Sequence, residues 1–171
     1  GDAAALQALA QQLAKETSDL AKLEMFYALA RGNDKRGKDG LVAALAAGRR
    51  DVKLEAARRL ALLGDKRAID TLAQYLEVSQ LRLGAAEQLA FLAEPRGIKA
   101  LQAIRADAAS TADDKARAAI ALGYAGKTEI APVLHELLAD QATTVLVRSP
   151  QADDLAVALA ALGHRAEPVE D

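Results

Sequence analysis

One stretch of this chain returns at an interval near thirty residues, and that return narrows what the chain can fold into. Its clearest copy is Asp51 to Leu76, DVKLEAARRLALLGDKRAIDTLAQYL. With Gly64 as origin, the matching positions are Gly32, Gly64, Ala93, Gly126 and Gly163, spaced 32, 29, 33 and 37 residues apart by subtraction. Four residues before each origin stand Ala28, Leu60, Leu89, Leu122 and Leu159. Seven before stand Met25, Ala57, Ala86, Ala119 and Ala156, and thirteen before stand Asp19, Asp51, Gln80, Asp113 and Pro150. Eight after the three central origins stand Leu72, Leu101 and Leu134. One such column would mean little in a chain rich in Ala and Leu. Agreement across several columns at one period is an internal repeat.

Each copy reads as a helix, a short turn and a second helix. In the clearest copy Ala56, Ala57, Leu60 and Leu63 recur at three- and four-residue spacing, which places them on one helix face. Asp51 stands where an N-cap is expected. Gly64 follows the last apolar residue, where a left-handed stop suits a residue without Cβ. Ile69, Leu72, Ala73 and Leu76 then start a second helical pattern. So few residues between them predict an antiparallel pair.

These residues resemble the short bacterial HEAT-like repeats named after the phycocyanobilin lyases. The carrying positions are Asp51-Val52-Lys53, Ala56-Ala57, Leu60, Leu63-Gly64-Asp65, Ala68-Ile69 and Leu72. They recur as Ala118-Ala119, Leu122, Gly126, Ile130-Ala131-Pro132-Val133-Leu134 and Leu137-Leu138-Ala139-Asp140. The resemblance runs from about residue 19 to 165 and implies an all-α fold, a right-handed α-solenoid of about five helical hairpins. It implies nothing about lyase activity, because the shared positions are packing positions. Some HEAT-like proteins are DNA glycosylases that use aromatics beside a carboxylate. The absence of Trp argues against that chemistry here.

On this basis the chain is one repeat domain. Residues 1–17 are an N-terminal capping helix or, as a sharper alternative, a dimerisation helix. Repeats follow at 19–47, 50–77, 80–106 and 113–140, with a terminal half-repeat at 150–165. Residues 33–40, NDKRGKDG, read as a polar connection before a second helix with Leu41, Val42 and Leu45 that ends at Gly48. Glu94-Pro95 turns the third repeat, proline suiting a first helical position where its missing N–H is not needed. DAASTA, residues 107–112, is a small polar linker. In residues 143–148, TTVLVR, Thr143, Thr144, Val145 and Val147 are β-branched, and the stretch precedes Pro150. They predict an extended insertion in which Val145 and Val147 tuck against the stack, or an edge that pairs with a partner strand.

Apolar residues make up 51% of the 171 and aromatics 3%, a balance that suits close helix packing better than a β-core. No apolar run approaches the ~20 residues needed to span a bilayer. The absence of Cys excludes disulfides and thiolate ligands without fixing a compartment. The compartment stays unknown, cytoplasmic by default. Gly1 in place of an initiator Met leaves a processed N-terminus, and with it a periplasmic location, as the alternative.

Chemical motifs are scarce. The stretch HELLA begins at His135 but has Ala139 where a zinc protease has its second His. Two histidines and no Cys predict neither a metal site nor a Cys/His nucleophile pair. No phosphate loop or cofactor motif is visible, so neither catalytic residues nor a cofactor are expected. The expected activity is a non-catalytic scaffold that binds another protein on the concave face made by the second helices. The side chains expected there are Asp70, Gln74, Lys99, Gln102, His135 and Glu136.

The alternative is nucleic acid or an acidic surface. Residues 35 to 67 hold ten basic and four acidic side chains, a segment charge of +6, within a chain of net charge −2. The basic patch comprises Arg49, Arg50, Lys53, Arg58, Arg59, Lys66 and Arg67. The bland alternative is a set of solvated helix faces. On either reading, Arg58→Glu with Arg59→Glu is expected to leave folding intact.

Overall fold

The structure, a computed structural model, describes residues 3–46 and 49–136. These residues are helical with no strand among them. In chain order they form α1 (Ala3–Leu13), α2 (Asp19–Arg31), α3 (Lys35–Leu45) and α4 (Arg50–Leu62). A 3-10 turn at Lys66–Ala68 leads into the short α5 (Ile69–Gln74), and another follows at Tyr75–Glu77. Then come α6 (Ser79–Phe91), α7 (Pro95–Ala106) and α8 (Ala112–Tyr124). A last 3-10 turn, Thr128–Ile130, runs into helical residues 131–136.

Four turns share one hydrogen-bonded closure. After α2, α4, α6 and α8 the backbone becomes left-handed at Asn33 (φ 62°), Gly64 (69°), Ala93 (56°) and Gly126 (73°). At each, the next N–H donates back five residues: Asp34 to Leu29, Asp65 to Leu60, Glu94 to Leu89 and Lys127 to Leu122, at 2.9–3.0 Å. The left-handed residue donates to Ala30, Ala61, Ala90 and Gly123, at 2.8–3.0 Å. This is the Schellman closure, which satisfies helix-end carbonyls that would otherwise lack donors.

The first origin therefore lies at Asn33 and not at Gly32, whose φ is −76°. Asn tolerates the left-handed region because its short polar side chain bonds locally. Counted from the corrected origin, the alignment sharpens. Four before stand Leu29, Leu60, Leu89 and Leu122, and eight after stand Leu41, Leu72, Leu101 and Leu134, all eight buried. Three before stand Ala30, Ala61, Ala90 and Gly123, also buried, where small size lets the next helix approach. Burying each leucine contributes roughly 1.5–3 kcal/mol.

The chain divides into two compact units, Gly1–Val78 and Ser79–Asp171. In the first, α2 packs against α1, α3 and α4, while α4 also packs against α3 and α5. In the second, α6 packs against α7 and α8, and α7 packs against α8. Each unit thus carries its own leucine core between first and second helices.

Three local expectations are corrected. Residues 35–40 are not a connection but the first half of α3. Their glycines read as loop residues, yet they are packing residues. A Cβ on Gly37 would meet the Ala30 nitrogen and the Phe26 carbonyl, and one on Gly40 would meet the Phe26 ring. Asp51 is not the N-cap of α4: Arg49 holds that position, without a side-chain cap bond, and Asp51 lies in the first turn. The second helix of the clearest copy is not continuous α-helix but a six-residue α5 between two 3-10 turns. Pro95 does occupy the start of α7, and Thr111 caps α8 by accepting from Asp114 N–H. Gly48, the insertion at 143–148, the half-repeat at 150–165 and the end of the fourth copy from 137 onward lie outside the described residues.

Candidate functional site

The side chains expected on the concave face are exposed on second helices. Asp70 and Gln74 lie one turn apart on α5, and Lys99 and Gln102 three apart on α7. Spacings of three and four put each pair on one face of its helix. His135 and Glu136 are exposed at the end of the helical residues 131–136. Asp70 and Gln74 belong to the first unit, the other four to the second.

The basic patch is different from a free field of positive charge. Arg36 reaches Asp34 at 2.6 Å, Arg67 reaches Asp65 at 2.5 Å and Arg49 reaches Asp51 at 2.5 Å. Lys35 sits 3.8 Å from Asp39 and Arg58 sits 3.9 Å from Glu55. The Arg59 guanidinium bonds both Glu24 on α2 and, at 2.8 Å, Glu55 on α4. It also lies 5.3 Å from the centroid of the Tyr27 ring. Six of the ten basic residues in the 35–67 segment are therefore paired with carboxylates.

Arg59 is a bridge between helices and not a solvated surface cation. Its side chain is 24% exposed against 45% for Arg58. The double charge reversal expected to leave folding intact would leave three carboxylates facing one another where the bridge now stands.

Two of the pairs are built into turns. The Asp34 carboxylate caps α3 by accepting from Arg36 N–H at 3.0 Å, and the Arg36 side chain then folds back onto it. Asp65 accepts from Arg67 N–H at 3.1 Å and from the Arg67 Nε at 2.9 Å. The Arg36 and Arg67 side chains, followed by their backbone N–H groups, hold both carboxyls below the usual aspartate range. Glu94 and Arg96 repeat the acid-x-Arg pattern, with Arg96 Nε 2.7 Å from the carboxylate. Lys127 and Glu129 occupy the same two places in the fourth turn with the charges exchanged.

Against this background one place stands apart. Arg50, Lys53, Gln74 and Tyr75 line a recess of about 240 Å³ in the first unit. Arg50 and Lys53 share a face of α4 at a spacing of three. Tyr75 is buried at the end of α5, and its hydroxyl donates to the Arg50 carbonyl at 2.9 Å. The Arg50 guanidinium lies 5.4 Å from the Tyr75 ring centroid, within cation–π range. Among the described residues neither Arg50 nor Lys53 forms an ion pair with a carboxylate.

Tyr75 was not singled out from sequence. The available signal was its column: the same place in the neighbouring copies holds Ala44 and Ile104, so a phenol there breaks an otherwise apolar pattern.

A second hollow, about 470 Å³ and mainly apolar, is lined by Leu20, Ala21 and Glu24 of α2 and by Asp51, Leu54 and Glu55 of α4. Among the described residues no group of three or more His, Asp or Glu converges to hold a metal. No described helix is long and apolar enough to cross a membrane. No family model matches the chain, and no curated protein matches it.

Proposed function

We propose that the chain is a HEAT-like helical-repeat scaffold, a right-handed α-solenoid of about five hairpins, that binds another protein without catalysing a reaction. The observation that supports this reading is the division of labour on the second helices. Their leucines at one column, Leu41, Leu72, Leu101 and Leu134, are buried. Polar residues at intervening places, Asp70, Gln74, Lys99, Gln102, His135 and Glu136, face outward. A face with its apolar side committed to packing and its polar side displayed suits recognition of a partner surface. Nucleic acid is the weaker partner, because the pairing of most of the 35–67 cations leaves few to meet a ladder of phosphates.

The test is affinity capture with the intact chain and with an Asp70→Lys, Lys99→Glu, Glu136→Lys variant of unchanged circular dichroism. A partner retained by the parent and lost by the variant supports the scaffold. Equal capture by both would remove the second helices from the binding surface.

A further inference from the structure

The 35–67 segment holds ten cations, and the fold treats them unequally. Lys35, Arg36, Arg49, Arg58, Arg59 and Arg67 are matched to carboxylates, as described above. Lys38, Arg50, Lys53 and Lys66 have no ion pair with a carboxylate among the described residues. Of these, Arg50 and Lys53 line a common recess. Two like charges three residues apart on one helix repel each other modestly. Tyr75 holds Arg50 in that arrangement from below, by its ring and by the hydrogen bond to the Arg50 carbonyl. Gln74 adds an amide donor at the rim.

We propose that this recess binds a carboxylate side chain of an acidic peptide segment, and so is the point where a protein partner is anchored. The inference rests on the protein-binding reading above and gives it a location and a chemistry. Two cations and an amide donor form a small concave cradle for one anion, with the Tyr75 ring beneath holding Arg50 in place. A carboxylate accepts from both cations at once, and such charge-assisted bonds are the stronger kind.

The neighbourhood favours an anion carried by a peptide over a nucleic-acid backbone. The recess offers two cations, and six of the other eight in the segment are already paired with carboxylates. One acidic side chain is enough to fill such a site. A strand with a charge at every nucleotide needs a line of cations to meet its phosphates.

The experiment uses the intact chain and a fluorescein-labelled hexaglutamate peptide as probe, read by fluorescence anisotropy at low salt. Saturable binding is expected, weakened at least tenfold by Lys53→Glu and by Arg50→Ala. Arg50→Ala keeps the backbone carbonyl that Tyr75 bonds, so the fold has no reason to change, and circular dichroism checks this. Lys66→Glu, an exposed cation outside the recess, is expected to change affinity less than twofold. Equal weakening by Lys66→Glu and Lys53→Glu would overturn the proposal in favour of diffuse charge. Tighter binding of oligothymidylate than of hexaglutamate would overturn it in favour of nucleic acid. No saturable binding of the peptide would also overturn it. The scaffold reading would survive any of these results if partner capture still depended on Asp70, Lys99 and Glu136.

Discussion

Ala93 carries a cost that its glycine counterparts avoid. It adopts φ 56° with a methyl group, whereas Gly64 adopts 69° without one. A Cβ on Gly64 would meet nothing within 4 Å, so adding one tests backbone strain alone. Left-handed backbone costs an L-residue about 1–2 kcal/mol. Ala93→Gly is expected to raise stability by about 1 kcal/mol, and Gly64→Ala to lower it by a similar amount. Urea midpoints measure both, and matching midpoints for all three proteins would contradict the argument. Asp65 supplies a pH dependence of known sign. Its carboxyl titrates below the ordinary aspartate range because Arg67 bonds the ionised form. The contribution is therefore complete above the unfolded value of about 3.9 and is lost as pH falls through the lower folded value. Asp65→Asn should be less stable than the parent at pH 6, and the gap should narrow in melts taken progressively below about pH 4.

The helices α4, α6, α7 and α8 were legible because buried Leu and Ala recur at helical spacing within them. The first half of α3 was not, because Gly37 and Gly40 advertise a loop while their real role is to let α3 lie against α2. Sequence spacing reveals a face, but it does not reveal how closely another backbone passes over it. Leu89 illustrates what was legible: it is fully buried in α6, which contacts both α7 and α8. Leu89→Ala should cost the upper part of the 2–5 kcal/mol range, since neighbouring Ala85 and Ala86 are too small to fill the space. Leu62, 43% exposed at the end of α4, should change stability by no more than about 0.5 kcal/mol on the same substitution. Denaturant melts of the two variants decide between them. The α2–α4 contact adds a charge test. Arg59→Glu should destabilise by roughly 1–3 kcal/mol, between the exposed and buried ion-pair limits. Arg58→Glu should remain within about 0.5 kcal/mol of the parent. Comparable melting of the two would mean that the Glu24–Arg59–Glu55 bridge contributes nothing.

For the molecule as a whole, the repeated helical pattern predicts a far-ultraviolet circular dichroism spectrum dominated by helix, and a spectrum dominated by β signal would contradict it. The candidate site was less legible than the helices. Counting charges in residues 35–67 marks a basic segment, but only the folded chain distinguishes Arg67, turned back on Asp65, from Lys53, turned toward the recess. Tyr75 escaped notice because a lone aromatic in a helix reads as core. The four Schellman closures carry a further consequence. Each draws all its hydrogen bonds from within about six residues, while the distance from one to the next varies from 29 to 33 residues, by subtraction from Asn33, Gly64, Ala93 and Gly126. Closure and spacing are thus independent. A gene encoding such a chain can gain or lose a hairpin by unequal recombination, and the copy that arrives brings its own means of ending one helix and starting the next. Length changes fall most cheaply in the stretch between hairpins, as at residues 107–111, where no closure is interrupted.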